Sequence, residues 1–295
     1  MTGVTRVVTA VFGPTASGKS AIAEALAARL GTEVVSADAL QVYRGLSILT
    51  NQPEKPTRLV AIRELSEEMS VGEYAGLAHA AIDELDEEHG TAVVAGGTGL
   101  YLRAALVDMA VPPAPRNGAR SHWESVYDDD PGEAHARLLK LDPPAAAAVH
   151  PNDRRRVVRA LELAEAGSSL VPVRDRLWSE EMRRPTIVIG LAVPSDTLER
   201  RIRQRTERMF VRGVVAEVRM ALEKPISRTA EKALGLRELV GLPADQAFEH
   251  ILARTRRYAA YQRKWMRRIP GIVMIGADRP PEEVADAILE VARTR

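Results

Sequence analysis

Two hydrophobic periods trade places along this chain. Val7 to Phe12 is an apolar run interrupted only by Thr9, which marks a strand buried on both faces. From Ser20 the spacing changes, and Ile22, Leu26 and Leu30 fall on one helical stripe. Glu33 to Ser36 predicts a short second strand. Ser70, with Glu73 three residues on, reads as a capping box opening a helix to about His89. Thr91 to Ala95 is again strand-like, followed by Gly96-Gly97-Thr98-Gly99 and a helix from Leu100. This alternation predicts an α/β fold, a mostly parallel sheet flanked by helices.

The texture then changes. Pro112, Pro113 and Pro115 break the pattern, and the chain to about Arg184 reads as all-helical. Leu138, Leu139, Leu141, Val149, Val157, Val158, Leu161 and Leu163 supply its apolar stripe. Thr186 to Val193 returns to a strand. Ser195 is expected to cap a helix carrying Leu198, Ile202 and Met209, which Gly213 interrupts before Val214 to Leu222. A long amphipathic helix from about Ala244 to Arg268 keeps helical spacing through Phe248, Ile251, Leu252, Thr255, Tyr258, Gln262 and Trp265. Ile272 to Ile275 is a last strand and Pro281 to Ala292 a closing helix. The expected organisation is a core over 1–113 and 185–295, split by a helical insertion domain over 114–184.

One turn carries specific chemistry. Gly13-Pro14-Thr15-Ala16-Ser17-Gly18-Lys19-Ser20 fits G-x-x-x-x-G-K-[ST], between the first strand and the first helix. That context points backbone N–H groups and a helix N-terminus at a phosphate. Lys19 adds a point charge, and the Ser20 hydroxyl suits Mg²⁺. The fold expectation sharpens to a P-loop NTPase-like sheet with an all-helical insertion domain.

Composition narrows the rest. The 295 residues include no cysteine, which excludes disulfides, thiolate zinc sites and a thiol nucleophile. No apolar run reaches membrane-span length and the N-terminus lacks a signal-peptide pattern, so the expectation is a cytoplasmic protein, with nothing demanding more than a monomer. Net charge is only +1, yet base is segregated: seven Lys/Arg and no acid lie between Arg254 and Arg268. Arg154 to Arg156 with Arg159, and Arg200 to Arg212, form two further basic clusters. Such segregation permits a nucleic-acid face; solvated helix faces explain it equally well. The six histidines show no ligand spacing.

Nucleotide hydrolases usually end an apolar strand with an acid that holds the Mg²⁺ shell. Here the third strand ends in Gly96-Gly97-Thr98, and the acid, Asp38, ends the second. Ligands of this fold class sit at the carboxyl ends of strands, so Asp38 is expected across a cleft from the phosphate loop, where it can accept a proton from a nucleophile. An Asx turn would also explain an aspartate after a strand. Thr98 can offer its hydroxyl to a bridging or leaving oxygen, or can simply be part of a turn.

Taken together, these residues resemble the tRNA dimethylallyltransferase family. The phosphate loop, Ser36 to Gly45, Gly96 to Tyr101, Asn152-Asp153 with Arg155 to Glu162, Arg208-Met209-Phe210 with Gly213 and Glu217-Val218, and Thr255 to Ala259 with Gln262 and Trp265 match in order. The resemblance implies transfer of a dimethylallyl group from dimethylallyl diphosphate to N6 of the adenine 3′-adjacent to the anticodon in tRNA. It implies that Gly13 to Ser20 and Arg208 bind the diphosphate with Mg²⁺, that Lys19, Asp38 and Thr98 are catalytic, and that Asp38 is the base. It further implies that Asp38, Ala39, Leu40, Gln41, Thr98, Arg120, Arg155, Arg156, Val157, Val158 and Arg159 touch the tRNA anticodon arm. The chain departs from the family at Ala39, at Leu49 to Gln52, at Leu59 to Ile62 and at Leu236. Two other readings share the loop: a small-molecule kinase that binds ATP, and a prenyltransferase for a free adenine nucleotide. The kinase leaves the basic helices unexplained, and the free-nucleotide enzyme needs no anticodon-arm contacts.

Overall fold

A computed structural model describes residues 7–109, 118–171 and 176–294. It divides into two compact units, Met1–Asp108 with Leu177–Arg295, and Met109–Arg176. The Pro112, Pro113 and Pro115 break and the expected boundary at 113/114 lie outside the described residues. At the other end, Leu177 to Arg184, expected within the insert, clusters with the first unit. The buried Arg103 side chain accounts for this, donating to the carbonyls of Leu177 at 2.7 Å and Ser179 at 2.6 Å.

The first unit is built on five parallel strands: β1 (Val8–Phe12), β2 (Val34–Ser36), β3 (Val93–Gly96), β4 (Thr186–Ala192) and β5 (Val273–Gly276), in the order β2-β3-β1-β4-β5. Every residue of β1 is buried, as a central strand covered on both faces requires. On one face the Lys19–Leu30 and Pro281–Arg293 helices pack on the sheet through Ile22, Leu26, Val284 and Ile288. The Val71–His89 and Gly99–Leu106 helices pack together, and the Tyr74 and Tyr101 rings meet at 4.2 Å. Ser70 Oγ accepts the Glu73 N–H at 3.1 Å, the N-cap its position demands.

Register is what places the site. Phe12 lies opposite Gly96, and Ser36 opposite Ala95. The segments after β1, β2 and β3 therefore leave the sheet at one edge, side by side. These are the phosphate loop, Ala37-Asp38 and Gly97-Thr98.

Two local expectations change. The Ser195–Val211 helix has Pro194 as its N-cap, with no side-chain cap. Ser195 lies inside the first turn, where its hydroxyl accepts from Arg263 Nη1 at 3.2 Å. Leu139 and Leu141 stay exposed although Leu138 is buried. Consecutive helical positions diverge by about 100°, so the face that buries Leu138 turns its neighbour outward.

The second unit packs the Ala119–Asp129, Pro131–Leu141, Pro143–Ala148 and Arg154–Glu165 helices around Trp123, Tyr127, Leu138, Val157, Val158 and Leu161. Asp130, Asp142 and Asp153 each cap a helix N-terminus. Among the described residues, no helix is long and apolar enough to cross a membrane.

Candidate active site

The phosphate loop is held in an unusual backbone state. Ala16 adopts φ +63° and Gly18 φ +88°, the left-handed conformations that curl consecutive N–H groups toward one point. Ser17 N–H closes the turn onto Pro14 O at 3.1 Å. The following Lys19–Leu30 helix leaves its first amides without intrahelical partners. Ser17 Oγ is buried and has no hydrogen-bond partner among the described residues. A tetrahedral anion fits such a cradle.

The loop forms one wall of a cavity of about 610 Å³. Asp38, Leu40 and Gln41 form another wall, and the polypeptide from Ile48 to Asn51 a third. Arg201, Arg205, Arg208 and Arg212 of the Ser195–Val211 helix and its end also face it, as do Ile251, Thr255, Tyr258 and Gln262 of the Ala244–Met266 helix.

Asp38 has both of the properties that its position allows. Its Oδ1 accepts the Leu40 N–H at 3.0 Å, an Asx turn, and its carboxylate shares the cavity with Lys19. Burial, opposed by Asp38 and assisted by repulsion from Arg205, holds the Lys19 ammonium down at about 8. Lys19 is thus a weakened cation in a water-poor site beside the Asp38 carboxylate, and a bound anion would favour its charged form.

Thr98 stands behind the Asp38 loop. Its Oγ1 accepts the Ala39 N–H at 3.3 Å and lies 3.5 Å from the Tyr258 hydroxyl. Burial and the Asp38 charge push the Tyr258 phenol up to about 12, so it stays protonated at neutral pH. The glycines around Thr98 are there for close approach. A Cβ at Gly96 would strike Ala37 O, at Gly97 the Gln262 amide, and at Gly99 the Trp265 ring.

Arg205 is the arginine that reaches the loop. Its Nη1 donates to Thr15 Oγ1 at 2.6 Å, and burial lowers its pKa. Arg208, singled out by the resemblance, lines the same cavity but is exposed, and its Nε donates to Gln204 O at 3.3 Å. The row Arg201, Arg205, Arg208, Arg212 sits at helical spacing in the sequence. The missed signal lay in that row, not in any single member.

Gln41 and Glu217 shape the third wall. Gln41 Nε2 donates to Asn51 O at 2.9 Å, and its Oε1 accepts from Ser36 Oγ at 2.9 Å. Glu217 receives the Ile48 and Leu49 N–H groups, both at 2.8 Å.

The remaining expected residues belong to the second unit. Arg155 and Arg156 are exposed on the Arg154–Glu165 helix. Val157 and Val158 are fully buried, so their side chains hold that helix in place and do not face outward. Arg159 donates to the buried Glu162 carboxylate at 3.1 Å, and Arg120 lies 3.8 Å from its other oxygen. Among the described residues, no cluster of His, Cys, Asp or Glu could hold a metal by itself. Ser20, on the cavity wall, offers one hydroxyl oxygen that could contribute to holding Mg²⁺.

Fold and cavity together define a P-loop α/β protein whose cationic loop faces a single carboxylate. The comparisons place it more closely. A family model described as IPP transferase matches residues 41–269, and one described as isopentenyl transferase matches 6–64. The tRNA dimethylallyltransferase of Kineococcus radiotolerans is 36% identical, over 96% of this chain and 95% of its own. That of Thermobifida fusca is 39% identical, over 92% and 91%. The full-length tRNA isopentenylpyrophosphate transferase from Bacillus halodurans superposes with TM-score 0.69 at 29% identity, covering 98% of this chain and 97% of that one. A eukaryotic dimethylallyltransferase acting on tRNA gives TM-score 0.81 at 25% identity, covering 97% and 79%. The chain belongs to the IPP transferase family.

Proposed function

We propose that this protein transfers a dimethylallyl group from dimethylallyl diphosphate to N6 of the adenine 3′-adjacent to the anticodon in tRNA, releasing diphosphate. The carrying observation is the pairing of the phosphate loop with Asp38 in one cavity. β3 ends in Gly96 and is followed by Gly97, so that strand carries no terminal acid of the kind nucleotide hydrolases use. A kinase reading would also leave the apolar part of the cavity, Ile48, Leu49, Met209, Leu234 and Ile251, without a purpose. A five-carbon chain would bury itself there.

The loop amides, Lys19 and Arg205 grip the diphosphate, with Arg208 at the rim. The N6 lone pair attacks the allylic C1. The C1–O bond breaks, and its electron pair goes to the bridging oxygen. Lys19 and Arg205 neutralise that charge where it grows, the largest expected catalytic effect. Thr98 holds the Ala39 N–H beside Asp38 and lies 3.5 Å from the hydroxyl of Tyr258, which faces the cavity. Asp38 receives the proton that N6 loses. Mg²⁺, held by Ser20 and the diphosphate, would supply further neutralisation of the leaving group.

An adenine stacked in an anticodon loop must be turned out to enter such a cavity. Exposed Arg155 and Arg156, with Arg120 and Arg159, offer the phosphate contacts that repay this cost. Leu40 and Gln41, with Ala39 beside them, line the acceptor side. A tRNA acceptor puts the working compartment in the cytoplasm, and one chain carries every group the reaction needs.

The test uses labelled dimethylallyl diphosphate with three acceptors: a tRNA bearing adenine 3′ of the anticodon, the same tRNA with guanine there, and free AMP. Label on the first alone is expected. No incorporation where a control prenyltransferase works, or label on AMP alone, overturns the reading.

A further inference from the structure

The sheet stops holding the two reactant-bearing loops together one residue too early. The last β1–β3 pair is Phe12 opposite Gly96. Beyond it, the loop that grips the diphosphate and the turn that carries Thr98 leave the ladder. One side chain then bridges them. Gln262 Oε1 accepts the Thr15 N–H at 2.7 Å, and its Nε2 donates to Gly97 O at 2.8 Å. Gln262 is 2% exposed and comes from the Ala244–Met266 helix. Its amide offers the donor and acceptor of a peptide group and continues the ladder where backbone no longer can.

Both ends of this bridge touch the chemistry. Thr15 also receives Arg205 through its hydroxyl. Gly97 precedes Thr98, which accepts the Ala39 N–H next to Asp38. We infer that Gln262 is a positioning residue that sets the separation between the bound diphosphate and the acceptor adenine. This rests on the prenyl-transfer reading above. It requires an amide, because only a group with a donor at one end and an acceptor at the other satisfies both loops. Gly97 has no Cβ because that space belongs to the Gln262 amide.

Gln262→Glu tests the requirement for a donor. An ionised carboxylate accepts from Thr15 but cannot donate to Gly97 O, whereas a protonated carboxyl does both. The ratio of Gln262→Glu to wild-type kcat should therefore rise as pH falls through the titration of the new carboxyl, which burial shifts upward. Gln262→Met, of similar size and unable to bridge, should lose kcat by ~10-fold or more at every pH, since small misplacements of reacting atoms are costly. Its KM for dimethylallyl diphosphate should move less than ~3-fold, because Lys19, Arg205 and the loop amides still hold the donor.

A ratio for Gln262→Glu that is flat with pH, or a Gln262→Met enzyme with wild-type kcat, overturns the inference. If Gln262→Glu fails to fold, the kcat-against-KM split of Gln262→Met decides alone. An inactive wild type defeats the prenyl-transfer reading and is recognised before any variant is compared.

Discussion

Arg205 donates to Thr15 Oγ1 at 2.6 Å across 190 positions of sequence, which ties the phosphate loop to a helix that follows β4. Arg208, one turn further, lines the cavity from an exposed position and has no such tie. The two should therefore separate kinetically. Arg205→Ala should lower kcat/KM by ~10²–10³, the usual loss for one preorganised charge-stabilising donor. Arg208→Ala should cost less than ~10-fold, since an exposed cation in water contributes little. Steady-state kinetics with dimethylallyl diphosphate and tRNA measures both, and equal losses would return Arg208 to the centre of the site.

Asp38 serves a turn and a cavity at once, and the two roles can be told apart. Asp38→Asn keeps an oxygen for the Leu40 N–H but removes the base. It should bind the donor normally and lose turnover by ~10²–10⁴. Asp38→Ala should lose the same turnover and, in addition, about 1 kcal/mol of stability through the missing turn hydrogen bond. Equilibrium dialysis, single-turnover assays and thermal unfolding read these out. Near-normal turnover by Asp38→Asn would leave only the turn.

Fold and site are legible in the sequence where the physics is local. The phosphate loop is legible because a tight anion cradle needs glycines and a lysine at fixed offsets. Ser70 is legible because an N-cap acts three residues away. β1 is legible because burial on both faces leaves a run that is apolar except for Thr9. Arg205 and the bridging role of Gln262 are not legible in this way. Which arginine of a basic row meets Thr15 depends on where β4 sets the next helix. Which residue of an apolar stripe bridges two loops depends on a helix 165 positions from Gly97. Leu139 shows the same limit, since its exposure follows from the face that buries Leu138.

Lys19 gives a pH signature. Its ammonium is held down to about 8 in the free protein, chiefly by burial. It is charged well below that pH and neutral well above. A bound diphosphate favours the charged form, so donor affinity should weaken as pH rises from 7 through 9. Binding in that window should also draw a proton from buffer. Calorimetry of dimethylallyl diphosphate without tRNA, in buffers of different ionisation enthalpy, measures the uptake. Lys19→Met should bind weakly with no uptake. A wild-type affinity that stays level across this range would show that Lys19 is not the titrating partner of the anion.

The glycines of the third-strand turn make the last prediction, because the chain supplies its own control. A Cβ at Gly99 meets the Trp265 ring, which already packs 4.9 Å from Trp178, so the ring has little room to yield. Gly99→Ala should cost ~1–3 kcal/mol, the range for overpacking a filled site. It should also slow turnover, since Gly99 follows Thr98. Gly76 sits inside the Val71–His89 helix with nothing within 4 Å of a Cβ. Gly76→Ala should stabilise by ~0.5–1 kcal/mol through helix propensity alone and leave turnover untouched. Chemical denaturation of both variants gives the two signs. If Gly99→Ala were as stable as wild type, the packing of Trp265 against the turn would be looser than the structure has it, and the helix that carries Gln262 would lose its second anchor on the turn after β3.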